Sequence, residues 1–118
     1  MSDLARVAVE RHGPAVVARL AGEVDLSNAE SVESQVGSGL GDASAVALDL
    51  AELRYLDSAG LGLVSRLASR LAAEGTTLRL VVPADAVVRR ALVISGLADA
   101  IGVDETVEAA LVALAERR

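Results

Sequence analysis

Residues 4–10 (LARVAVE) and 15–21 (AVVARLA) alternate apolar and polar side chains, the period of a strand with one covered face. Arg11, His12, Gly13 and Pro14 separate them, and the whole predicts a β-hairpin. Over 27–40 the period lengthens. Val32, Val36 and Leu40 recur at helical spacing, and Ser27 with Glu30 has the spacing of a capping box. Residues 45–50 (AVALDL) are nearly all apolar, as in a central strand covered on both faces, with Leu48 and Leu50 buried. A helix is predicted from about 59 to 74. Leu61, Val64, Ala68 and Leu71 would line one side, and Gly75 is placed to stop it. Residues 77–82 (TLRLVV) predict a strand ended by Pro83, and a helix is predicted over 85–95, stopping at Gly96. After a short extended AIGV, Asp104 is placed to cap a last helix bearing Val107, Ala110, Leu111 and Leu114.

The order β-β-α-β-α-β-α-(β)-α predicts an α/β fold: a mixed sheet of four to five strands packed with about four helices. No linker or repeat interrupts it, and a length of 118 residues fits a single domain, 1–118. Strand order does not follow from the pattern.

Composition narrows the functional classes. Hydrophobic residues make up 53% of the chain but aromatics only 1%, so the core must be Leu, Val, Ile and Ala. Cysteine is absent, which excludes a disulfide framework and a thiolate metal site. The net charge is −6, and all 11 basic residues are arginine. With no basic stripe and no aromatics to stack on bases, nucleic acid is not expected as a partner. No run is long and apolar enough to span a bilayer, and the first residues lack the character of a signal peptide. The expectation is a soluble cytoplasmic protein without membrane partners.

The candidate chemistry sits in LDSAGLG, residues 56–62, where a strand passes into a helix. Ser58 occupies a position suited to an N-cap. A phosphate there would also meet free amides and the positive end of a helix dipole. Gly60 and Gly62 are poor helix formers and leave backbone open to a partner. A hydrolase nucleophile elbow would need glycine where Leu56 stands, and the lone His12 lies in the hairpin turn. A phosphate-cradling loop would need a lysine that the chain lacks. Glu23 with Asp25, and Asp104 with Glu105, lie in predicted loops or at helix starts, where acids suit the dipole without any metal. Arg89 and Arg90 read as one solvated helix face. GEVDLS, residues 22–27, is a second strand-to-helix junction. If its strand neighbours the one before Ser58, both junctions open on the carboxyl end of the sheet, where ligand and partner sites gather.

GEVDLSNA, LDLAELRYLDSAGLGLV and VRRALVISGLADAIGVDETVEAAL resemble the junction, the defining segment and the C-terminal third of the STAS domain family. Tyr55 stands where that family more often has Phe or Ile. A chain of this length with serine at this position resembles the bacterial anti-sigma factor antagonists of the family. The resemblance implies a non-enzymatic partner switch that needs no cofactor of its own. The unmodified protein binds an anti-sigma factor that is also a serine kinase of the histidine-kinase-like ATPase fold, and a sigma factor is released. The kinase then phosphorylates Ser58, and a PP2C-type phosphatase resets it. The implied partner surface comprises Asp25, Ser27, Asn28, Asp57, Ala59, Gly60, Leu61 and Gly62. Stressosome scaffolds, transporter tails and a lipid-transport ATPase accessory subunit share the fold, which leaves a non-switching scaffold or accessory subunit as the alternative.

Overall fold

The structure, a computed structural model, describes residues 4–116. Its elements are β1 (Ala5–His12), β2 (Ala15–Val24), α1 (Ala29–Leu40), β3 (Ala45–Leu56), α2 (Ser58–Ala73), β4 (Thr77–Val81), α3 (Arg89–Ile94), α4 (Leu97–Ile101), β5 (Val103–Asp104) and α5 (Val107–Glu116). The five strands lie in the order β1-β2-β3-β4-β5. β1 pairs antiparallel with β2 in the expected hairpin, and every later pair is parallel. The carboxyl ends of β2, β3 and β4 therefore share one end of the sheet.

Alternation along the strands splits the interior into two cores. Val16, Ala18 and Leu20 of β2, Val46, Leu48 and Leu50 of β3, and Leu78 and Leu80 of β4 face α1 to α4. Ala15, Val17, Ala45, Ala47 and Val81 face α5, meeting its Ala110 and Leu114. Leu48 and Leu50 are fully buried, as expected.

Several elements depart from the pattern. β3 runs six residues beyond the expected end, because its alternation breaks twice. Arg19 pairs with Asp49 and Ala21 with Glu52, then Gly22 pairs with Leu53 and Glu23 with Tyr55. β3 thus carries an extra residue at two places, each a bulge that bends the strand. Leu50, Leu53 and Leu56, spaced by three, all turn toward the core. Asp49, the single buried charged residue among those described, accepts a hydrogen bond from the Ala51 amide at the first bulge (3.0 Å). Arg19 lies 3.5 Å from its other oxygen.

The expected stripe of α2 is rotated. Leu63, Val64, Leu67 and Leu71 are buried, while Leu61 and Ala68 are only half-buried. The predicted 85–95 helix forms only from Arg89, and Gly96, in the left-handed region at φ 85°, separates α3 from α4. That raises the helix number to five. Asp104 does not cap α5. Its carboxylate takes the Arg79 guanidinium at 2.8 and 3.1 Å, and Thr106 Oγ1 accepts from the Ala109 amide instead (3.0 Å). Arg89 is not fully solvated either: it donates to the Val82 carbonyl (2.6 Å).

Candidate functional site

Two strand-to-helix junctions meet at the carboxyl end of the sheet. The first joins β2 to α1. Asn28 ties it internally, its Oδ1 accepting from the Asp25 amide and its Nδ2 donating to the Glu23 carbonyl, both at 2.9 Å. Asp25 Oδ1 accepts from the Ser27 amide (2.8 Å) and the Ser27 hydroxyl (2.5 Å). These bonds, the hydroxyl first, hold the Asp25 carboxyl below the usual carboxylate range. Ser27 is thereby committed to Asp25, so the expected capping box with Glu30 does not form, and no side chain caps α1 at Asn28.

The second junction joins β3 to α2, and here the cap is Asp57 rather than Ser58. Asp57 is in extended conformation, and its Oδ1 accepts from the Ala59 and Gly60 amides at 2.9 and 3.1 Å. Its Oδ2 accepts from the Leu26 amide of the first junction at 3.2 Å. The Asp57 amide in turn donates to the Val24 carbonyl (3.3 Å). One carboxylate thus starts α2 and braces the neighbouring loop. Ser58, displaced from the capping role, is the first helical residue. It is exposed and has no hydrogen-bond partner for its hydroxyl among the described residues.

Around Ser58 the surface is partly apolar. Leu26 is 84% exposed and Tyr55 49%, and both line a shallow recess with Asp25, Ser27 and Asp57. Ala59 and Ser27 also line a groove of about 840 Å³ between α1 and α2. Across its floor Arg66 of α2 meets Glu33 of α1 with Nε and Nη2 at 3.1 and 2.8 Å. Leu61 and Gly62 are half-buried. Gly60 is buried, and a Cβ there would run into the Leu56 side chain and come within 3.3 Å of Val24. Its bareness therefore serves internal packing, where the sequence suggested backbone open to a partner. Among the described residues no cluster of His, Asp and Glu could hold a metal ion, and no helix is long and apolar enough to cross a membrane.

The structure brings Asp25, Ser27, Asp57, Ser58 and Ala59 to one surface, with Asn28 as their internal tie. Leu26, Tyr55, Glu33 and Arg66 join this surface without any motif of their own in the sequence. The first two follow an apolar rhythm that reads as core, and the last two meet only through the packing of α1 on α2.

The model of the STAS domain matches residues 6–110. The chain belongs to the STAS domain family. Solved structures of anti-sigma factor antagonists share the fold. An anti-sigma factor antagonist from Mycobacterium paratuberculosis is 27% identical, with a TM-score of 0.84 over 97% of each chain. The unphosphorylated form of the anti-sigma factor antagonist SpoIIAA is 27% identical, with a TM-score of 0.72 over 90% of this chain and 93% of that one. The phosphorylated form of SpoIIAA, described as a Bacillus cell fate determinant, is 26% identical, with a TM-score of 0.67 over 90% of this chain and 96% of its own. No curated protein matches the chain at a significant level. This STAS domain thus has the SpoIIAA-like form, a mixed five-stranded sheet with five helices.

Proposed function

We propose that this STAS domain is an anti-sigma factor antagonist switched by phosphorylation of Ser58. One observation carries the reading. The motif serine is exposed and relieved of capping by Asp57, on a fold shared with anti-sigma factor antagonists, one of which has phosphorylated and unphosphorylated forms. The unmodified protein, acting as a single cytoplasmic domain, binds an anti-sigma factor through the Leu26–Tyr55 recess and the start of α2, and a sigma factor is freed. The anti-sigma factor is also a serine kinase. It transfers the γ-phosphoryl group of ATP to Ser58 Oγ, the hydroxyl proton passes to a base of the kinase, and ADP leaves. The new dianion sits beside Asp57 and Asp25, and the complex separates. A PP2C-type phosphatase adds water across the phosphoester and returns serine and inorganic phosphate.

The protein itself supplies position rather than catalysis: a hydroxyl on a braced helix start that a kinase cleft can approach. Intact-mass analysis of the protein from its own host tests this. A fraction heavier by one phosphate, mapped to Ser58 and absent from Ser58→Ala, is expected. No phosphate under any growth condition, together with retention of a fixed set of partners, would assign the domain to a scaffold or transporter accessory instead.

A further inference from the structure

Ser58, Gly62 and Arg66 lie along one i, i+4, i+8 ridge of α2. Arg66 runs back along this ridge toward the start of the helix, the ordinary direction for a long helical side chain. Its Nη1 comes to 3.1 Å from where a Cβ of Gly62 would stand. Residues four apart on a helix have Cβ atoms about 5–6 Å apart, so Nη1 is within about 9 Å of the Ser58 Cβ. The guanidinium is divided in its duties. Nε and Nη2 hold Glu33, and Nη1 has no hydrogen-bond partner among the described residues.

We infer that a phosphate on Ser58 is held in cis by Arg66, whose Nη1 reaches it across the bare Gly62 while Nε and Nη2 keep Glu33. The inference rests on the phosphorylation reading above and deepens it. Arginine suits the task, since its planar fork can serve two anions on two edges. A phosphoserine rotamer turned toward Gly62, with small torsional adjustments of the exposed Arg66 and of Glu33 that move the pair together, spans the remaining gap. The result is a chain from residue 58 through Arg66 to Glu33, tying the start of α2 to α1 along the groove. The phosphate is then kept on the protein's own surface instead of being offered to the partner. Gly62 gains a reason in this scheme, because a side chain there would crowd the guanidinium out of the path. The other charges facing the site are Glu30 and Glu33 on α1, Asp25 and Asp57 at the junctions, and Arg70 one turn further along α2. The carboxylates oppose the phosphate, so Arg66 is the cation that the site itself provides.

The test places phosphoserine at position 58 of the full chain by codon reassignment, which removes any dependence on a kinase. The second ionisation of the phosphate is followed by ³¹P NMR, in the parent, in Arg66→Gln and in Arg70→Gln. Arg66 favours the dianion, so its loss should raise the midpoint, ordinarily near pH 6, by about half a unit or more. Arg70→Gln carries the same loss of charge one turn away and should leave the midpoint near that of the parent. Gly62→Val should mimic Arg66→Gln. Equal midpoints in all proteins, or equal shifts from both arginine variants, would overturn the clamp and leave only a general field. Either result is independent of whether a kinase ever modifies Ser58, which the intact mass decides.

Discussion

The Asp57 carboxylate accepts from the Leu26 amide at 3.2 Å, so one side chain joins two junctions that lie 31 residues apart in the chain. Its other oxygen caps α2. The Ser58 platform is therefore braced by a residue other than Ser58 itself. Under the proposed phosphorylation, a platform braced in this way gains or loses a phosphate without a change of fold.

The division of labour between Asp57 and Ser58 is measurable in urea. Asp57→Ala should destabilise the protein by about 1–2 kcal/mol, through loss of the cap and of the Leu26 bond. Ser58→Ala should stay within about 0.5 kcal/mol of the parent, because its hydroxyl holds no structural bond. A larger cost for Ser58→Ala than for Asp57→Ala would return the capping role to the serine.

Sequence pattern makes the two roles hard to separate. Asp and Ser are both good N-caps and stand side by side, and what selects Asp57 is its reach to Leu26 across the sheet. The same limit explains the lost Ser27–Glu30 box: the spacing was right, but the nearer Asp25 carboxylate holds the hydroxyl. The hairpin, the 45–50 core of β3, β4 and the α5 stripe were legible because their burial follows a regular period. β3 beyond Leu50 was not, since two bulges let leucines spaced by three face one side. The Arg79–Asp104 pair was hidden too. It depends on β4 and β5 lying together, and Asp104 looks like a cap when only its own helix is considered.

The bulged register can be tested by mutation. Leu53 is buried and Glu52 exposed, whereas strict alternation from Leu50 would reverse them. Leu53→Ala should cost about 2–5 kcal/mol in chemical denaturation, and Glu52→Ala should be within about 0.5 kcal/mol of neutral. The opposite ranking would place the strand out of register.

The first junction should respond to acid. The Ser27 hydroxyl, then its amide, depress the Asp25 pKa in the folded state. The stabilisation from these bonds is therefore complete above about pH 4, the unfolded value, and is lost as pH falls through the lower folded value. Ser27→Ala removes the larger cause, so the Asp25 midpoint should rise toward the ordinary carboxylate value. Carboxyl ¹³C NMR titration of the two proteins checks this, and an unmoved midpoint would mean that the hydroxyl does not hold the carboxylate.

The most direct test pairs two measurements on the same samples: thermal melting of the free protein and its affinity for the proposed anti-sigma factor kinase, with Ser58 unmodified and phosphorylated. Asp57 already takes the Ala59 and Gly60 amides, and the exposed Ser58 hydroxyl holds no bond of the fold, so a phosphate there stays in solvent and the melting temperatures should agree within a few degrees. A complex that covers Ser58 must desolvate the dianion beside Asp57 and Asp25, and a loss of about 3–4 kcal/mol weakens binding several hundredfold. Equal melting with binding reduced to that degree is the expected result. Unchanged affinity would contradict a switch at Ser58, and a collapse of the melting temperature would replace local electrostatics with an unfolding mechanism.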